Sequence, residues 1–181
     1  MKKTIVYLGF LAFAGPAMAQ KSTTTSAVVS FDATTPKDDL PKAENNTVIG
    51  SLDKTTGALL FEAAVNNFVF PNEGIQKHFN GEKWMNSDQF PKFSFSGKID
   101  VLDKVNFTKD GTYNVTIFGN LTVKGIEKPI SAPATITVAN GVIKTNSSFP
   151  IVLAAYGITG GPIDGGKVAA EPKITVSAQF Q

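Results

Sequence analysis

The 181-residue chain contains no cysteine and, among its 17 basic residues, no arginine; it has a single histidine, His78, and a single tryptophan, Trp84. Without cysteine there are no disulfides, no thiolate metal sites and no lipid-modified N-terminal cysteine, so the fold must be held by its core. Without arginine the chain lacks the planar fork that grips phosphates, carboxylates and guanine edges, which argues against a nucleic-acid partner. One imidazole with no neighbouring histidine or acidic pair at ligand spacing leaves a zinc or iron site without its usual donors. Long apolar runs are scarce too. The longest, Ile5 to Ala14, is too short to span a bilayer, so no transmembrane anchor is expected.

That run follows Lys2 and Lys3 and precedes a Gly15-Pro16 break and Ala17-Met18-Ala19. A charged start, an apolar stretch and an A-x-A site make a secretory signal. Cleavage is expected after residue 19, which places the protein in a periplasm or outside the cell. Lys2 and Lys3 leave with the signal, so the 17 basic residues fall to 15 and balance the 15 acidic ones. The basic pI is therefore partly a property of the signal. About 162 residues remain, enough for one domain with a real core.

Catalytic residues are as scarce as cysteine. A nucleophile triad lacks its base, and the serines fall mostly on polar strand faces. Asp100 with Asp103, or Asp38 with Asp39, could be imagined as an acid pair for glycoside chemistry, but charges flanking loops are usually solvated. Gly157 to Pro162 is glycine-rich without the Lys-Ser/Thr of a phosphate cradle and reads as a flexible rim loop. No enzyme activity and no cofactor are expected.

What the chain does have is alternation. Lys21 to Ser26 is Thr-rich and polar and reads as a loose leader (residues 20–26), with the first strand over Ala27 to Ala33. Asp38 to Asn46 lacks apolar periodicity and reads as a connector. Thr47 to Asp53 pairs with Ala58 to Asn66 across Asp53-Lys54-Thr55-Thr56-Gly57, a hairpin loop closed by glycine. Asn72 is a helix N-cap for Glu73 to Asn80, in which Ile75 and Phe79 share a face. Strands follow over Lys92 to Leu102, Thr112 to Val123, Ile126 to Val138, Val142 to Leu153 and Ile174 to Phe180, with turns at Lys124-Gly125 and Asn140-Gly141. Pro129 and Pro133 argue for an edge or bulge near a rim. Such an edge, or the terminal strands, would let two copies pair as a homodimer.

Two linked segments carry a resemblance: HFNGEKWMNSDQFPKFSFSGKI, His78 to Ile99, and GNLTVKGIEKPI, Gly119 to Ile130. In this order, and among alternating strands, they resemble the YceI-like, polyisoprenoid-binding proteins of bacteria over most of the chain after the signal. The resemblance implies an all-β fold over residues 27–181: an antiparallel eight-stranded lipocalin-like barrel with one short helical insertion, holding a long apolar ligand and no catalytic machinery. At Ala27 to Ala33 the family's commoner histidine-containing strand is absent, so a polar head-group contact from that strand is not carried over.

The inward face that alternation assigns to each strand then supplies the candidate ligand contacts. These are Phe31, Phe61, Val65, Phe93, Phe95, Val115, Ile117, Leu121, Phe149, Ile151 and Val176, joined by Phe68, Phe70, Phe79 and Trp84 around the helix at one end. The resemblance implies an exported protein that sequesters or carries a polyisoprenoid, a fatty amide or a similar long-chain lipid. On composition alone the same aromatics would equally suit a filled barrel, a structural or stress-related protein-interaction module without a ligand.

Overall fold

The computed structural model describes residues 21–181; the expected signal, residues 1–19, and Gln20 lie outside them. Its strands are β1 (Lys21–Asp32), β2 (Lys42–Asp53), β3 (Ala58–Ala64), β4 (Lys92–Ile99), β5 (Gly111–Val123), β6 (Ile126–Ala139), β7 (Val142–Pro150) and β8 (Lys173–Phe180). Each is antiparallel to the next, and the sheet closes where Val28–Asp32 pairs with Lys173–Ser177. The architecture is a closed, up-and-down, eight-stranded antiparallel β-barrel. Between β3 and β4 lies helix α1 (Glu73–Asn80), and before β8 a short helix α2 (Gly161–Asp164).

Local chemistry explains the connections. Lys124-Gly125 and Asn140-Gly141 both have positive φ at the two turn positions, the geometry whose twist suits a two-residue hairpin. In the β2–β3 loop, Asp53 Oδ1 accepts from Thr55 N and Thr56 N at 2.8 and 3.1 Å, and Gly57 closes the turn at φ 72°. Asn72 caps α1, its Oδ1 accepting from Gly74 N at 2.8 Å and Ile75 N at 3.2 Å.

Three expectations are corrected. Lys21 to Ser26 is not a loose leader but the first half of β1. Its Ser22 and Thr24 point inward and are buried, and Lys21 to Thr24 pair with Gly50 to Asp53. Polar β-branched residues keep a strand's period without an apolar signal. The connector before Thr47 is shorter than expected, because β2 begins at Lys42. Nor do the terminal strands offer a free edge, since β1 and β8 pair with each other. The proline-bearing strand lacks a second strand over part of its length: the β6–β7 ladder stops at Ala134↔Ser147, so Ile126 to Pro133 pairs with β5 alone, and β6 also meets the Leu153–Tyr156 turn that follows β7.

Two bulges set the inward face of β1 and β2. Thr25 and Ser26 together stand opposite Ile49, and Asn46 and Thr47 together stand opposite Val28. Each extra residue flips the parity, so β1 buries Ser22 and Thr24 before its bulge and Ala27 after it. Asn45 stitches the second bulge. It is fully buried, its Oδ1 accepts from Thr47 N (2.9 Å) and Thr47 Oγ1 (2.8 Å), and its Nδ2 donates to Ala64 O (2.9 Å), beyond the last β2–β3 pair.

Asn45→Ala leaves the Thr47 N–H and the Ala64 carbonyl without this partner, and a loss of about 1–3 kcal/mol is expected in urea unfolding. A second expectation concerns acid. Hydrogen bonds from Thr34 to Asp32, and from the Thr55 and Thr56 amides to Asp53, hold both carboxyls below the usual aspartate range. Their stabilisation is present above the unfolded value of about 3.9 and is lost as pH falls through the lower folded values. Melting temperature should therefore fall below about pH 4, and the fall should be smaller in Asp53→Asn.

Candidate ligand-binding lumen

The barrel has two unlike halves. Toward the end holding the β2–β3 and β6–β7 turns, Leu52, Ile99, Ile136, Val138, Ile143 and Phe180 are buried and close the interior. Toward the α1 end the interior is hollow, with a cavity of about 140 Å³. Space on that scale takes on the order of ten water-sized spheres. No lining residue carries a titratable side chain. The only polar side chains on the wall are the hydroxyls of Ser94, Thr145 and Ser147, and Ser147 Oγ is engaged with Pro133 O at 2.7 Å. None of these hydroxyls has a titratable side chain beside it on the wall to serve as its base.

The roof is built by the α1 segment and the stretch after β7. The Phe79 ring projects from α1 and meets Phe70, Phe68 and Phe31 at 4.8, 6.0 and 6.2 Å between centroids, and Phe68 meets Phe93 at 5.7 Å. Tilted pairs at such distances are favourable for aromatic rings. The chain then folds back under the helix: Met85 N donates to Phe79 O (3.0 Å), Ser87 N to Asn80 O (3.1 Å) and Val65 N to Pro91 O (2.9 Å). The sequence from Asn80 to Pro91 therefore fastens the helix and turns Phe79 and Met85 toward the lumen. His78 lies exposed on α1, away from the lining.

Of the expected contacts, Phe31, Phe61, Phe68, Phe79, Phe93, Phe95, Ile117, Leu121, Phe149, Ile151 and Val176 line the cavity. The other four do not. At Val65 the strand has given way to a 3-10 turn, so period two no longer holds and the side chain packs in the core outside the lumen. Phe70 is buried behind Phe79, and Trp84 yields the inward place in its turn to Met85. Val115 has the right parity but sits beyond the hollow half, bordering a separate polar groove with Asp100, Lys104 and Thr116.

Other wall positions were not among the expected contacts. Ile130, Ala132 and Ala134 come from β6, whose prolines obscured an otherwise regular inward series. Ile158 comes from the glycine-rich stretch, which is not a flexible rim loop. Tyr156 and Ile158 are 2% and 1% exposed there, and Gly157 (φ 67°) turns the chain between them. Burial also pushes the Tyr156 phenol above its ordinary value.

A family model described as the YceI-like domain matches residues 12–180. The chain belongs to the YceI-like family. Solved structures agree in fold. A polyisoprenoid-binding domain from Saccharophagus degradans, implicated in plant cell wall breakdown, superposes with a TM-score of 0.75 at 10% identity, over 90% of this chain and 98% of that one. Burkholderia cenocepacia BcnA gives 0.69 at 18% identity over 86% and 96%. A Campylobacter jejuni YceI protein gives 0.60 at 13% identity over 100% and 99%. At these identities the likeness is one of fold. No curated protein sequence matches the chain.

The face assignment can be checked directly. Ile117→Asp places an unpaired carboxylate in the lumen wall and should cost more than about 3 kcal/mol of stability, whereas Thr116→Asp on the outer face should cost under about 0.5 kcal/mol. Urea unfolding of the two variants measures the difference, and equal losses would contradict the inward parity of β5.

Proposed function

We propose that the protein is exported and encloses a polyisoprenoid, a fatty amide or a similar long-chain apolar molecule in its lumen, carrying or sequestering it without altering it. The observation that carries this reading is the half-hollow interior, apolar almost throughout and roofed by the α1 segment. Each buried CH₂ contributes roughly 0.8 kcal/mol, so a long chain binds without any specific polar contact. Discrimination would then rest on girth and length, since one methylene is worth only about 1–3 kcal/mol in such a pocket.

Kinship supports the reading, because a structural neighbour of the same fold is named for polyisoprenoid binding. The unfilled cavity counts against the module reading, in which side chains would occupy the whole interior. Export is supported by the N-terminal pattern, with Lys2 and Lys3, the run from Ile5 to Ala14 and Ala17-Met18-Ala19. The described residues contain no helix long and apolar enough to cross a membrane.

Native mass spectrometry of protein purified without detergent is expected to show one long-chain lipid per chain, recovered and identified after organic extraction. A clean apo mass that persists after incubation with polyprenol would overturn the carrier reading. Sequencing the N-terminus of the exported fraction should find Gln20 first; an intact Met1 would overturn export by cleavage.

A further inference from the structure

Three glycines on the inward face of the wall are not explained by the hydrophobic pattern. Gly50 on β2, Gly97 on β4 and Gly119 on β5 sit at inward positions in mid-strand, where glycine weakens a sheet and offers nothing to pack. None has a positive φ, so conformational freedom is not the reason for them. Space is. A Cβ at Gly50 would stand 2.6 Å from both Cδ1 and Cε1 of Phe61. A Cβ at Gly119 would stand 2.6 Å from Phe95 Cζ, and one at Gly97 would collide with the same atom.

The register accounts for these contacts. Gly50 pairs with Phe61 and Phe61 with Phe95, while Gly97, two residues on from Phe95 along β4, pairs with Gly119, so Phe61 lies over its cross-strand glycine and Phe95 over the Gly97–Gly119 pair. A ring that covers a cross-strand glycine lies along the sheet instead of standing off it. Both rings line the cavity, and Phe61 also meets Phe180 of the packed half at 6.0 Å. Phe61 therefore stands at the floor of the lumen.

We infer that Gly50, Gly97 and Gly119 are specificity-determining: by letting Phe61 and Phe95 lie flat they set the depth and width of the lumen, and so the length of chain it accepts. This rests on the proposed carrier function. Gly50 is the position to test, because a Cβ there meets mainly the Phe61 ring, whereas one at Gly97 or Gly119 meets backbone atoms at 2.5 Å. Gly50→Ala lifts the Phe61 ring off the wall and makes the floor shallower. Phe61→Leu removes the ring and deepens it.

The experiment titrates wild type, Gly50→Ala, Phe61→Leu and the double variant with geraniol, farnesol and geranylgeraniol, one prenyl unit apart, with melting temperature recorded for each. Wild-type affinity should rise along the series. Gly50→Ala should lose at least about tenfold for geranylgeraniol and under about twofold for geraniol. Phe61→Leu should shift the preference toward the longest alcohol, and the double variant should recover wild-type affinity for it. A folded Gly50→Ala with an unchanged profile, or with equal loss at all three lengths, overturns the inference. Should Gly50→Ala not fold, an unchanged length preference in Phe61→Leu overturns it equally. Wild type that binds none of the three alcohols overturns this inference; the carrier reading falls with it only if native mass spectrometry also finds no long-chain lipid.

Discussion

A sheet that closes on itself has one interior, and every second side chain of every strand must go there. In this barrel the β1–β8 ladder imposes that condition, and the rest of the molecule follows from how it is met. Eight strands enclose a space about wide enough to be filled by side chains or to hold one slender guest. Large residues at the inward positions of one half fill it. In the other half, glycine, alanine and rings laid along the wall leave it vacant. The bulges at Thr25-Ser26 and Asn46-Thr47 adjust β1 and β2 so that buried residues stay inward on both sides of each irregularity.

The division separates two duties that a single core would mix. Leu52, Ile136, Val138 and Phe180 contribute cohesion through complete burial, of the order of 1.5–3 kcal/mol for each large side chain. The hollow half contributes capacity, and its walls are held from outside by the closed ladder and from above by the Phe79 cluster. A guest would therefore add its own burial to a structure that is already complete.

Much of this was legible in the sequence because period two survives in most strands. The Glu73 to Asn80 helix was written in Asn72 and in the Ile75, Phe79 spacing, and the hairpins in Asn140-Gly141 and Asp53 to Gly57. What escaped did so for particular physical reasons. Ser22 and Thr24 are buried hydroxyl residues, so hydrophobicity reported a loose tail where there is a strand. Asn45 hides a bulge, because the side chain that replaces the missing ladder contacts is indistinguishable in sequence from a loop asparagine. Val65 and Val115 followed the alternation, but one lies past the end of its strand and the other beyond the hollow half; alternation tells which face a residue takes, not how far along the barrel it sits. The glycine-rich Gly157 to Pro162 stretch looked mobile, yet Gly157 turns a chain that buries Tyr156 and Ile158 on either side of it.

The stretch of β6 from Ile126 to Pro133, paired on one side only, has a bearing on self-association. Unpaired strand edges are templates on which further chains can add, the first step toward fibres. Here two of the residues, Pro129 and Pro133, have no amide hydrogen to offer, and Glu127 and Lys128 place a charge of each sign between Ile126 and Ile130. The barrel thus carries its own guard against edge-to-edge addition at the place where its ladder is open.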